Sequence, residues 1–87
     1  MTDYDAPLPS HIHLGPYRVA VRLVLPATIT RTLRRQKADG EAAGCWDPGR
    51  TAIYIDRTVS RKRQWEVYWH EERHASADLE ARQKGGL

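Results

Sequence analysis

The segment from Val67 to Ala75, VYWHEERHA, constrains the fold more than any other part of the chain. It contains the pattern His-Glu-x-x-His, in which His70 and His74 are four positions apart. Residues four apart lie on one face of an α-helix, so both imidazole rings can reach a single Zn²⁺ at about 2.0–2.1 Å. Glu71 follows the first histidine and can accept a proton from a metal-activated water. The motif predicts a helix that carries half of a hydrolytic site.

The helix around this motif is expected to be long. Ser60 is the expected N-cap, and the helix should run to about Lys84 and end at Gly85-Gly86. His70 and His74 should lie on a stripe of their own with Val67 and Asp78. The apolar surface beside that stripe is predicted to comprise Trp65, Tyr68, Trp69, Ala75 and Leu79.

Three shorter elements are expected before this helix. In Tyr17–Leu25 every second residue is a large apolar one: Val19, Val21, Leu23 and Leu25. This alternation is typical of a strand that buries one face. Ala27–Asp39 is ambiguous, with Thr28 as a candidate helix cap and Gly40 as the stop. Ala43–Asp47 and Thr51–Asp56 flank the turn Pro48-Gly49 and predict a β-hairpin, in which Ile53 and Ile55 share one face and Tyr54 takes the other.

This order of elements predicts an α+β fold, in which a small antiparallel or mixed sheet packs against the long C-terminal helix. The chain of 87 residues has room for a single domain, assigned to residues 14–87, after a flexible N-terminal arm at residues 1–13. The single cysteine, Cys45, cannot form an internal disulfide, and no apolar stretch is long enough to span a membrane. We therefore expect a cytoplasmic protein with no membrane partner.

A catalytic zinc normally takes three protein ligands, and the third is not evident from the spacing. Asp78 shares the histidine stripe and is the first candidate ligand. His70 and Asp78 would lie about 12 Å apart along a helix, so the alternatives are that Asp78 accepts a hydrogen bond from the His74 ring or is a solvated carboxylate. His11 and His13, on one side of an extended segment, and Asp56 are further candidates.

The stretch from Leu14 to Leu79 resembles the small phage and mobile-element zincins related to the ImmA/IrrE metallopeptidases, the minimal gluzincin type. Three segments carry the resemblance: LGPYRVAV, GCWDPGRTAIYID and VYWHEERHASADL. It implies a zincin-like fold, a Zn²⁺ cofactor held by His70 and His74, and Glu71 as general base. In gluzincins a glutamate on a further helix is the third ligand. Only thirteen residues follow His74 here, which implies a relative truncated after this helix, or a ligand from Asp78, the N-terminal histidines or another subunit.

The resemblance implies a zinc metallopeptidase acting on a peptide or protein substrate. The alternative is a catalytically inactive zincin-like structural or assembly protein of a phage particle, with a homo-oligomer or phage structural proteins as partners. It would be made in the host cytoplasm and incorporated in the virion. A third interpretation, nucleic-acid binding, rests on two basic groups, Arg31, Arg34, Arg35 and Lys37, and Arg57, Arg61, Lys62 and Arg63. It is disfavoured, because a net charge of +3 is modest and no recognisable DNA-binding motif accompanies them.

Overall fold

A four-stranded mixed sheet forms the centre of the molecule, with one helix on each face. The structure, a computed structural model, describes residues 6–36 and 43–85. Its elements are β1 (His11–Leu14), β2 (Tyr17–Val24), α1 (Pro26–Gln36), β3 (Gly44–Asp47), β4 (Ala52–Asp56) and α2 (Arg61–Gly85). The predicted α+β class, with a small mixed sheet and a long C-terminal helix, is confirmed.

The strands lie in the order β1-β2-β4-β3. β1 pairs antiparallel with β2, β2 runs parallel to β4, and β3 is antiparallel to β4. The β3–β4 pair is the hairpin that the Pro48-Gly49 turn predicts. β1 and β3 are consequently the two edges of the described sheet, at opposite sides of the molecule.

The two helices differ in how well their starts were predicted. Ser60 caps α2 as expected, since its hydroxyl oxygen accepts a hydrogen bond of 3.2 Å from the Arg63 N–H. Thr28 is not the cap of α1, and that expectation is wrong. The helix begins at Pro26, whose fixed φ suits the first helical position, and the Thr28 N–H bonds the carbonyl of Leu25 at 3.0 Å. Of the expected stop Gly85-Gly86, Gly85 is the last residue of α2, within one residue of the expected end at Lys84. Gly86 and the expected stop of α1 at Gly40 lie outside the described residues.

The sheet buries a core on each face, as strand alternation requires. On the α2 side the core includes Val19, Val21, Trp46, Ile53, Ile55, Val67, Tyr68, Ala75 and Leu79. On the α1 side it consists of Ile29, Cys45, Ala52 and Tyr54. Ile53 and Ile55 therefore do share the face opposite Tyr54, which confirms the alternation predicted for β4.

Four apolar residues depart from the predicted burial. Leu23 and Leu25 are 41% and 49% exposed, because β1 pairs with β2 only as far as Ala20 and leaves the end of β2 without a neighbour on that side. Val67 is fully buried rather than lying on the histidine stripe, whereas Trp69 is 50% exposed. Compared with the apolar face predicted from the sequence, the buried face of α2 is thus rotated toward Val67 and Glu71.

The N-terminal segment is packed against the domain from Ala6 onward. The indole N–H of Trp65 donates a hydrogen bond of 2.9 Å to the carbonyl oxygen of Ala6, and Leu8 packs against the core. Residues 11–13, predicted to belong to a flexible arm, are part of β1. Residues 1–5 of that predicted arm lie outside the described residues. Within the described ranges, no helix has the length and apolar character that crossing a membrane requires.

Candidate metal centre

Gly44 sets the distance between α2 and the edge strand β3. A Cβ at this position would overlap Cγ1 of Val67 and would lie 2.9 Å from the carbonyl oxygen of Tyr54 and 3.5 Å from Cγ of Glu71. Only glycine lets the helix backbone and its side chains approach the strand this closely. The His-Glu-x-x-His turn of α2 therefore lies directly against β3.

The motif brings three potential ligand groups together on α2. His70, Glu71 and His74 each have one nitrogen or carboxylate oxygen within 4.8 Å of the other two. The two imidazole rings have their centroids 4.6 Å apart with an angle of 55° between their planes. Nδ1 of His74 lies 3.5 Å from Oε1 of Glu71. Within residues 6–36 and 43–85, this is the one group of three such side chains whose ligand atoms come so close.

These distances can be compared with what zinc requires. Two atoms bound to one tetrahedral zinc at about 2.1 Å are about 3.4 Å apart, so the ligand atoms of the cluster, which lie within 4.8 Å of one another, must approach by up to about 1.4 Å. Closing this gap needs a small rotation of the histidine side chains. His70 and His74 are both exposed, so such a rotation displaces no packed neighbour. Two imidazoles beside a carboxylate are a donor set that suits Zn²⁺, and the chain's own residues fit this ion.

Glu71 differs sharply from the two histidines in its surroundings. The residue is 1% exposed and lies under β3, beside Gly44. Its charge also acts on Cys45: burial, followed by the negative charges of Glu71 and Asp47, raises the pKa of the Cys45 thiol to about 12. Cys45 is therefore a protonated thiol near neutral pH in the metal-free chain, and such a thiol is a poor nucleophile. The helix presents a fixed carboxylate flanked by two exposed imidazoles.

Asp78, predicted as a metal ligand, is held elsewhere. Its Oδ2 accepts a hydrogen bond of 3.0 Å from the indole Nε1 of Trp46 and lies 3.7 Å from a guanidinium nitrogen of Arg82. The cluster of ligand atoms does not include it. The structure thus brings three of the four predicted site residues together and places the fourth at a contact between α2 and β3.

The other candidate ligands are also separated from the cluster. Ile12 and Leu14 pack into the core on the α2 side, so the alternation of β1 directs His11 and His13 to the opposite face of the sheet. Their rings contact each other with centroids 5.8 Å apart. Asp56 is buried at the end of β4, where Oδ1 accepts hydrogen bonds from the backbone N–H and the hydroxyl of Thr58.

The sequence reasoning did not assign a role to Gly44 or to the Trp46–Asp78 contact. A signal for Gly44 was present, because an isolated glycine in a strand often marks a close approach of another backbone. No comparable signal exists for the contact of Trp46 with Asp78, which are 32 positions apart in the chain.

Comparisons with protein-family models, with curated proteins and with solved structures found no significant match for this chain. The geometry of α2 against β3, together with the local pattern of the motif, is therefore the basis for assigning a function.

Proposed function

We propose that the chain binds Zn²⁺ through His70 and His74 and hydrolyses peptide bonds with Glu71 as general base, as a zincin-like metallopeptidase of the minimal gluzincin type. The observation that supports this most is the convergence of the three side chains on one turn of α2, where ligand atoms of the exposed His70 and His74 and of the buried Glu71 lie within 4.8 Å of one another. A carboxylate between two imidazoles is the arrangement that metal-assisted hydrolysis needs.

Each residue has a separate role in the proposed reaction. A bound zinc would lower the pKa of a water toward about 7 and polarise the scissile carbonyl. Glu71 accepts the proton of the attacking water and passes it to the leaving amine. Because packing under β3 fixes the Glu71 side chain, the carboxylate has little freedom to turn away from the reacting atoms.

The edge strand β3 is the proposed docking site for the substrate backbone. Among the described strands it has one neighbour, β4; because all four of its residues are buried, an extended peptide can pair with its other side only if this edge opens. α2 crosses at Gly44, which brings the motif next to that edge. Two imidazoles leave two positions of a tetrahedral ion for water, substrate or a ligand from a second copy of the chain.

The experiment combines metal analysis with an unbiased search for cleavage. Zinc-loaded protein is incubated with a mixture of peptides derived from a whole proteome, and new termini are identified by mass spectrometry. We expect cleavage by the wild-type protein, none by Glu71→Gln, and equal zinc content in both. If Glu71→Gln bound less zinc than the wild type, the role of Glu71 as base would be contradicted. A zinc-loaded wild type that cleaves no peptide would contradict peptidase activity.

The second candidate is an inactive zincin-like assembly protein of a phage particle, and one observation favours it. Trp69 is 50% exposed, next to His70, and it packs edge-on against Tyr68 and beside Trp65. An exposed tryptophan within an aromatic cluster is typical of a contact residue in a protein interface. A zinc-loaded protein without cleavage activity that forms oligomers, and that becomes monomeric on Trp69→Ala, would favour this candidate over the peptidase.

A further inference from the structure

The face of the sheet opposite α2 carries a concentration of arginines. α1 packs mainly against β3 and β4 on this face, so the side chains of β1 and β2 lie beside the helix rather than beneath it. Val19 and Val21 point toward α2, and the alternation of β2 therefore places Arg18 and Arg22 on the opposite face. Both arginines are exposed.

Two adjoining cavities run along this face. One, of about 600 Å³, lies between α1 and the sheet and is lined by Arg22, Arg31, Arg35 and Arg50 among others. The other, of about 430 Å³, continues toward β1 and includes His11 and Arg18 in its lining. The cavities share Ala20, Arg22 and Arg50. The two adjoining cavities together are hereafter called the arginine groove.

The charge of the arginine groove has one sign. Five arginines line it, and none of the described residues that line it carries a carboxylate. A guanidinium nitrogen of Arg35 forms an ion pair of 3.0 Å with Oδ2 of the buried Asp47, which does not itself line the groove. The other four arginines are exposed, and none of them forms an ion pair with a carboxylate of the described residues: Arg18, Arg22, Arg31 and Arg50. Burial, followed by the negative charge of the Asp47 carboxylate, raises the pKa of Tyr54, which lines the groove, and the positive charges of Arg50 and Arg22 act in the opposite direction.

We propose that the arginine groove binds the phosphate backbone of single-stranded nucleic acid. Guanidinium groups bind phosphate oxygens in pairs and stay charged at every physiological pH. Four of the five arginines line the larger cavity, and Arg18 extends the positive charge into the smaller one, so the two adjoining cavities together offer room and charge for more than one phosphate. The exposed ring of His11, which lines the smaller cavity, can stack against a base.

This surface differs from the two basic groups that the sequence contains as runs. Arg31 and Arg35 belong to one of those runs, but Arg18 and Arg22 lie in β2 and Arg50 in the turn between β3 and β4. The sheet and the β3–β4 turn bring them together. The local sequence around each arginine therefore gives no indication of the groove.

Fluorescence anisotropy with a labelled oligothymidine of about 20 nucleotides tests the proposal, over a series of sodium chloride concentrations. The variant Arg22→Gln/Arg50→Gln removes two charges from the groove. The matched control, Arg34→Gln/Arg57→Gln, removes two charges from exposed arginines that do not line it. We expect wild-type binding that weakens with salt, and a loss of at least about tenfold in the groove variant. In the groove variant, the loss of two phosphate contacts should make the negative slope of log K against log salt concentration less steep by about 1.4.

The controls separate this proposal from general charge attraction. The control variant should bind within about threefold of the wild type, and Arg22→Lys/Arg50→Lys should keep most of the salt dependence. Circular dichroism checks folding, and the single variant Arg18→Gln replaces the double variant if the latter unfolds. No binding by the wild type at low salt would overturn the proposal, as would equal losses in both double variants. Equally strong binding of polyglutamate would assign the groove to an acidic peptide instead.

Discussion

The indole nitrogen of Trp46 donates a hydrogen bond of 3.0 Å to Oδ2 of Asp78, which joins the edge strand β3 to the C-terminal half of α2. Gly44, two positions earlier in β3, makes the close contact with the N-terminal half of the same helix. The strand thus holds α2 at two points, on either side of the His70–His74 turn. Asp78 positions the helix, and its carboxylate is engaged away from the cluster of ligand atoms.

Asp78→Ala tests this role directly. The substitution removes a hydrogen bond to a charged acceptor, so we expect the free energy of unfolding to fall by about 1–2 kcal/mol. Zinc affinity, measured by competition with a chelator, should change less than about threefold, whereas His74→Ala should weaken it at least about a hundredfold. If Asp78→Ala reduced zinc affinity as strongly as His74→Ala, Asp78 would be a ligand after all.

Zinc should stabilise the folded chain through the two helix histidines. At a free zinc concentration about 100 times the dissociation constant, binding to the folded state alone raises the free energy of unfolding by about 2.7 kcal/mol. Urea denaturation with and without zinc measures this difference. The double variant His70→Ala/His74→Ala should lose the stabilisation, and His11→Ala/His13→Ala should retain it. The latter pair lies on the other face of the sheet and provides a matched control.

Gly44→Ala should destabilise the protein, because the added methyl group would overlap Val67 and approach the Tyr54 carbonyl. Overpacking of this kind reduces the free energy of unfolding by about 1–3 kcal/mol. It should also push α2 away from β3 and lower zinc-dependent activity. Gly85→Ala is the control, since a Cβ there would meet nothing within 4 Å. Equal stability of the two variants in urea would show that α2 can move away from β3 without penalty.

The buried thiol of Cys45 predicts a loss of stability at high pH. Its pKa rises from the ordinary value of 9.0 to about 12 in the folded chain, so between these values the unfolded state has released a proton that the folded state keeps. Below about pH 9 the thiol is protonated in both states, so its full contribution to the free energy of unfolding is present. Above that pH the free energy of unfolding falls by up to about 1.4 kcal/mol per pH unit toward pH 12. The raised pKa values of Tyr54 and Tyr68 act in the same direction.

Urea denaturation between about pH 8 and pH 11 measures this loss. In Cys45→Ala the contribution of the thiol is absent, so the decline with pH should be shallower and only the tyrosine contribution should remain. An identical pH dependence in the variant and the wild type would mean that the thiol is not perturbed by burial.

The local features of the sequence predicted the elements around the candidate site well. The Ser60 cap, the Pro48-Gly49 hairpin and the alternation of Ile53, Tyr54 and Ile55 depend on interactions between near neighbours, and all three are present in the structure. The convergence of His70, Glu71 and His74 is likewise local, because three residues within five positions of a helix must lie close together. The start of α1 was misplaced since Pro26 and Thr28 both suit a helix start.

Other features depended on contacts between distant parts of the chain. Pairing of β1 with β2, and hence the placement of His11 and His13 away from the helix, follows from a sheet edge that the sequence does not mark. The burial of Glu71 and Val67 in place of Trp69 depends on how far α2 rotates as it packs against Gly44.

The sequence by itself determined the helix, its cap and the presence of two histidines and a glutamate on one turn, because hydrogen bonds and side-chain spacing within a helix are set by neighbours a few residues away. Only the tertiary structure decided that Asp78 bonds Trp46 and that Arg18, Arg22 and Arg50 line one groove. Those relationships depend on the strand order and the packing of two helices on opposite faces of the sheet, which are set by burial of the whole core.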